Sequence, residues 1–174
     1  MGNYNLTTKA IQEQAERAAE GFPLLPKGKH LMRVKEATFK VVTNKETGKE
    51  TDAIDLDLVV IAGEPCEHMQ CRDTMFFSEK ALGRVLLTFS ALGVPDTELS
   101  NINPEDAGFR GRLVGRLAVV EVDHKKDASG RMWANPTYAG YKAAHPSTIE
   151  ELKRSREAGA ATPGGADDMS KIPF

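Results

Sequence analysis

The sequence predicts a mainly β chain: a small five-stranded barrel with one helix between its third and fourth strands, a helical arm before it and a disordered tail after it. Three observations carry this. Five segments alternate apolar and polar residues with the period of two that marks a half-buried strand. The alternation in the first segment slips by one residue, the sign of a β-bulge, and a long bent strand of that kind suits a small closed barrel. Between the third and fourth segments, Leu82, Val85, Leu86 and Phe89 recur at helical spacing instead.

Taken in order, Thr7 to Glu20 reads as a helix capped by Thr7 or Thr8 and ended by Gly21 and Pro23. Its apolar stripe is thin (Ile11, Ala15, Ala18), which predicts a loosely docked arm over residues 1–25. The first strand runs from Lys29 to about Thr43. Met32 and Val34 point one way, then Ala37, Phe39 and Val41 take over, so the bulge falls near Lys35 and Glu36. A polar turn follows, from Asn44 to Glu50. Ile54, Leu56, Leu58 and Val60 then form the inward face of the second strand, with Asp55 and Asp57 outward.

Cys66 to Phe77 reads as the third strand, with Met69, Cys71, Met75 and Phe77 inward and Asp73 breaking the pattern. Ser78 opens the helix, which Gly93 and Pro95 stop near Leu92. A polar loop from Asp96 to Gly108 leads to a fourth strand from Phe109 to Asp123. His124 to Gly130 is a hairpin loop, and Arg131 to Tyr141 is the fifth strand. Pro136 places that strand at an edge or a bulge. The folded domain thus spans 26–146. The segment 147–174 holds a short helix opened by Ser147-Thr148-Ile149-Glu150, a Gly/Pro-broken tether and an acidic tip.

Five strands with a helix between the third and fourth is the order of an OB-fold. Ferredoxin-like and other α+β layouts share parts of it, and the bulge and the two long polar hairpin loops favour the barrel. The 174-residue chain has a formal net charge of −2, and Lys27 to Lys142 carries 17 basic and 17 acidic side chains. No global basic field announces nucleic acid, so any such contact needs charges sorted onto one face. Two cysteines, no signal-like leader and no long apolar run predict a soluble intracellular protein with reduced thiols.

The body resembles small phage-encoded single-stranded DNA-binding proteins. The resemblance rests on Leu25-Pro26-Lys27-Gly28-Lys29-His30, the stretch Asp52 to Gly63, Ala91-Leu92-Gly93-Val94-Pro95, and Phe109-Arg110-Gly111-Arg112-Leu113. The ending Asp167-Asp168-Met169-Ser170-Lys171-Ile172-Pro173-Phe174 resembles the acidic tip of bacterial single-stranded DNA-binding proteins, with Met169, Ser170 and Lys171 set between the acids and Ile-Pro-Phe. The resemblance implies a protein that coats and protects single strands in phage DNA replication and recombination in the host cytoplasm. It further implies that Asp167, Asp168, Ile172, Pro173 and Phe174 dock replication or recombination partners. A terminal ring can fill an apolar pocket while the carboxylate pairs with a basic rim.

Binding unpaired strands needs a cationic groove and exposed rings for base stacking. In an OB barrel the platform is the outer face of strands two and three and the loops joining strands 1–2 and 4–5. The candidates are Lys40, Lys45, Lys49, Arg72, Phe76, Phe77, Lys125, Lys126, Arg131, Trp133 and Tyr138, with Arg110, Arg112 and Arg116 as a cluster entering strand four. Phe76 and Phe77 are adjacent, so one of them belongs to the core. Trp133 either stacks or closes the barrel.

Cys66, His68 and Cys71 form Cys-x-His-x-x-Cys, but alternation splits the cysteines between two faces and no second pair completes a zinc set. Asp52, Asp55 and Asp57 lack the partnered Glu or Lys of a metal-dependent nuclease. Phosphate-loop, nucleophile-elbow and His-Glu-x-x-His motifs are absent from the sequence, so neither an enzyme nor a cofactor is expected. The alternatives are an OB-like protein-interaction adaptor without nucleic-acid binding and, less favoured, a metal-dependent nuclease.

Overall fold

Ladders between neighbouring strands organise the molecule. The computed structural model describes residues 24–160. The predicted arm helix over Thr7–Glu20 and the tip residues Asp167, Asp168, Ile172, Pro173 and Phe174 lie outside them. The elements are β1 (Gly28–Thr43), β2 (Glu50–Val60), β3 (Gln70–Phe76), α1 (Leu82–Ala91), α2 (Asp96–Leu99), α3 (Ala107–Leu113), β4 (Leu117–Lys126), β5 (Met132–Ala143) and α4 (Pro146–Ala160). The strands form one antiparallel sheet in the order β3-β2-β1-β4-β5.

β1 sits at the centre because it is long enough to pair twice. Its first half pairs with β4, from Gly28 opposite Val122 to Arg33 opposite Leu117. β2 runs along it from Met32 opposite Val60 to Thr43 opposite Glu50. The β1–β2 register shifts between Val34 and Glu36, where the sequence places the bulge. The slip keeps Met32 and Val34 buried before it and turns Ala37 toward the core after it.

Alternation in β2 holds from Ile54 to Leu58, and Ala53 and Val59 of the other phase are buried as well. Ile54, Leu56, Leu58 and Val60 are buried, while Asp55 and Asp57 face the other way. The inner faces of β1, β2, β3 and β4 enclose the main core. Val85 and Phe89 of α1 and Phe109 and Leu113 of α3 fill it from the helical side. Phe89 meets Phe109 edge-on at 5.6 Å and Phe77 at 6.4 Å between ring centroids, an arrangement aromatic pairs favour. α4 covers the opposite face of β1 and β4, where Leu152 packs on Leu31 and Val119. Its Arg156 ion-pairs with Glu64 in the β2–β3 connection.

Three boundaries differ from expectation for a local reason. β3 begins at Gln70 rather than Cys66, because Cys66 (φ 63°) and His68 (φ 67°) adopt left-handed backbone that cannot continue a ladder. α1 begins at Leu82, after a turn in which the Ser78 carbonyl accepts from the amides of Ala81 and Leu82. Its buried stripe is Val85, Thr88 and Phe89, leaving Leu82 and Leu86 exposed. Phe109 to Leu113 is helix α3, not strand: Asp106 caps it by accepting from the amides of Gly108 and Phe109 at 2.9 and 3.1 Å. The 3.6-residue period brings Phe109 and Leu113, four apart, to one buried face.

Among the described residues no ladder joins the edge strands β3 and β5, so the sheet does not close through its backbone. Side chains bridge the seam instead. The Tyr141 hydroxyl of β5 donates to Asp73 of β3 at 2.9 Å, and Arg84 of α1 donates to both Asp73 oxygens at 2.9 and 2.7 Å. No helix of the described residues is long and apolar enough to cross a membrane.

Candidate nucleic-acid interface

The outer face of β1, β2 and β3 is built of cross-strand rows. Glu36, Asp57 and Arg72 form one, Thr38, Asp55 and Thr74 the next, and Lys40, Ala53 and Phe76 the third. Residues directly opposite in an antiparallel pair share a face, so the register alone brings Lys40, Arg72 and Phe76 to one side. The carboxylates in the middle are engaged. Arg72 donates to Asp57 through two nitrogens, at 2.6 and 3.2 Å. Asp55 accepts from Lys40 at 2.8 Å and from Thr74 at 2.6 Å. Glu36, Asp55 and Asp57 outnumber Lys40 and Arg72 by one, so these rows do not attract phosphate.

At the seam between β3 and β5 lies an open cleft of about 340 Å³. It is lined by Arg72, Thr74 and Phe76 from β3, Arg84 from α1, Lys125 from β4, and Asn135, Pro136 and Tyr138 from β5, with Asp73 at the junction. Phe76 is 39% and Tyr138 61% exposed, large for rings, and the Arg84 guanidinium lies over the Tyr138 ring at 5.8 Å. The cleft exists because the edge strands part here. β5 carries a wide irregularity: Tyr141 pairs with Val120 but Pro136 with Val122, so residues 137–140 bow out of the ladder.

Electrostatics at the cleft floor follow from burial. Burial pushes the Asp73 carboxyl up, and the Arg84 charge and hydrogen bond oppose this only in part. Burial, then the Asp73 charge, raises the Tyr141 hydroxyl well above its usual range and keeps it a donor. The Arg84 Nε is buried without a hydrogen-bond partner.

The β4–β5 hairpin extends the cleft. Lys125 stands opposite Trp133, and Trp133 is two residues from Asn135 on the same face of β5. Trp133 is 45% exposed, and Arg131 lies over its ring at 4.5 Å. Lys126, at the end of β4, is exposed, as are Lys45 and Lys49 in the β1–β2 turn.

The structure therefore gathers Arg72, Phe76, Lys125 and Tyr138 around one cleft, with Lys40, Arg131 and Trp133 on adjoining rows. Other candidates stand apart. Phe77 packs against the core, which settles the Phe76/Phe77 pair in favour of Phe76 as the exposed ring. Arg110 and Arg112 ride on α3 instead of entering β4. Arg110 lies over Phe39 and donates to the Pro104 carbonyl at 2.8 Å, and Arg112 pairs with Glu98 at 3.1 Å. Arg116 donates to the carbonyls of Leu92 and Gly93 at 3.3 and 2.6 Å, which ties it to the end of α1.

Sequence reasoning missed Arg84 and passed over Asp73. The signal was there: an acid in the inward phase of a strand calls for a buried cation, and Arg84 is the one that reaches it. Cys66 and Cys71 are free thiols, and among the described residues no three His, Cys, Asp or Glu are grouped to hold a metal ion. No protein-family model matches the chain, and no curated protein shows significant similarity to it.

Proposed function

We propose that this chain is a single-stranded DNA-binding protein of OB type, without catalytic activity, that coats unpaired strands in phage replication and recombination. The observation that carries the reading is the cleft between β3 and β5, where two exposed rings and three cationic side chains share one concave surface. Rings offer stacking of about 1–3 kcal/mol per base, indifferent to sequence. The central, bulged β1 paired with both β2 and β4, and the helical segment between β3 and β4 in which α1 is the longest helix, support the OB assignment. The C-terminal Ile172-Pro173-Phe174 with Asp167 and Asp168 would recruit partner proteins, a role that rests on the sequence resemblance alone.

Arg72 and Arg84 are already paired with Asp57 and Asp73, so stacking contributes more here than phosphate contact. A titration of single-stranded, double-stranded and RNA oligomers across a salt series tests the reading. Single strands are expected to bind best and to quench Trp133. Absence of single-strand binding even at low salt would falsify it. A second reading, a protein-interaction adaptor, is favoured by the exposed Leu82, Leu86 and Leu87 on α1. Affinity for unpaired strands that survives Leu87→Lys but not Phe76→Ala separates the two.

A further inference from the structure

The β4–β5 turn is organised by one carboxylate. Asp127 Oδ1 accepts from the Ser129 amide at 2.9 Å, the Ser129 hydroxyl at 2.6 Å and the Arg131 amide at 3.0 Å. Its other oxygen, Oδ2, accepts from the Trp133 indole Nε1 at 2.9 Å. Backbone bonds close the same turn, with the Asp127 amide donating to the Arg131 carbonyl at 3.0 Å. The carboxylate thus ties the turn with one oxygen and the indole with the other.

The indole is consequently tethered through its N–H to the turn. Its N–H edge points at the turn, and one face lies against the Arg131 guanidinium. Nearly half of its surface stays open, beside Lys125. An exposed tryptophan free to rotate would lose side-chain entropy on stacking; one already anchored has less to lose. With one face covered, the ring can receive a base on the other face and cannot slip between two.

We propose that Asp127 is the positioning residue of a one-sided stacking platform, holding Trp133 against Arg131 so that its open face receives a single unpaired base. This rests on the nucleic-acid reading above, and names the residue that sets the ring and the number of bases it takes. The hydroxyl and indole donors hold the Asp127 carboxyl down at about 2, so it is an acceptor throughout the working pH range.

Asp127→Asn separates the two oxygens. The amide keeps a carbonyl for the three turn donors but sets an NH2 against the indole N–H. Because Trp133 is the chain's single tryptophan, its fluorescence reports on the platform directly. In the free protein, acrylamide should quench Asp127→Asn about twice as fast as the native chain, with the melting temperature within a few degrees. Oligo-dT affinity should fall about fivefold. In a Trp133→Phe background, which has no indole N–H, the same Asp127→Asn change should leave affinity unaltered. An equal loss in both backgrounds would mean that Asp127 only holds the turn, and would overturn the proposal. So would unchanged acrylamide quenching. If the native protein binds no oligo-dT, the nucleic-acid reading and the platform's ligand both fall, while the acrylamide comparison still decides whether Asp127 sets the ring.

Discussion

Asp73 is a buried acid whose partners come from two other elements, Arg84 of α1 and Tyr141 of β5. Its carboxyl is raised by burial, so in the folded protein protonation comes more easily than in the unfolded chain. A raised folded value contributes stability at low pH that is lost as pH rises through it. Arg84→Ala removes the compensating cation and should cost about 3 kcal/mol at pH 7 by urea denaturation. That cost should shrink as pH falls, because a protonated Asp73 needs no cation; a cost independent of pH would refute the ion-pair account. Cys71 follows the same direction. Burial first, then the charges of Asp73 and Asp57, push its thiol up to about 12. The thiolate is the reactive form, so at pH 8 a disulfide reagent should modify the half-buried Cys66 and spare Cys71 until the protein is unfolded. Above pH 9 this group favours the unfolded chain, and stability should decline toward pH 12.

At the scale of elements, the bow in β5 depends on Gly140. A methyl at that position would meet the Thr137 hydroxyl and come within 2.8 Å of the Glu121 carbonyl in β4. The hydroxyl can rotate away but the backbone carbonyl cannot. Gly140→Ala should therefore destabilise by about 1–3 kcal/mol in denaturant and distort the cleft wall that carries Tyr138. An alanine tolerated within 0.5 kcal/mol would show that the bow relaxes freely. The two ends of β1 were legible from alternation because its hydrophobic set changes phase at the bulge. The start of β4 was not. Phe109, Leu113 and Leu117 are spaced by four, and apolar residues at that spacing fit a helix face and a strand face alike; the Asp106 cap decided for the helix. α1 was placed correctly but rotated, because Thr88 takes a core position that a polar side chain does not advertise.

For the whole molecule, charge is the constraint. Body charges balance, and on the outer sheet face Asp55 and Asp57 are paired with Lys40 and Arg72, with Glu36 as a further acid. The exposed hairpin cations are Lys45, Lys49, Lys125, Lys126 and Arg131. Were all five to meet phosphates, the log-affinity against log-salt slope would be about −3.5, so a shallower slope is expected. A steeper one would mean that the paired arginines release their acids on binding. The negative Asp167 and Asp168 would compete with phosphate for the exposed hairpin cations, so deleting residues 167–174 should tighten binding to single strands, most of all at low salt; unchanged affinity in a gel-shift titration would count against that competition.

Period-two patterning by itself determined the number and order of the strands, the inward face of β2 and the slip in β1, since each of those is a property of consecutive residues; the starts of β3 and β4 and the inward face of β4, where Leu117 is exposed and Ala118, Val120 and Val122 are buried, came from the structure. Only the tertiary structure decided which cations are spoken for, which phenylalanine stays in solvent, and that β3 and β5 meet through Asp73, Arg84 and Tyr141 rather than through a ladder. Those contacts join residues up to 68 positions apart. Their partners are set by how the strands twist and where the edges part, which no local pattern encodes.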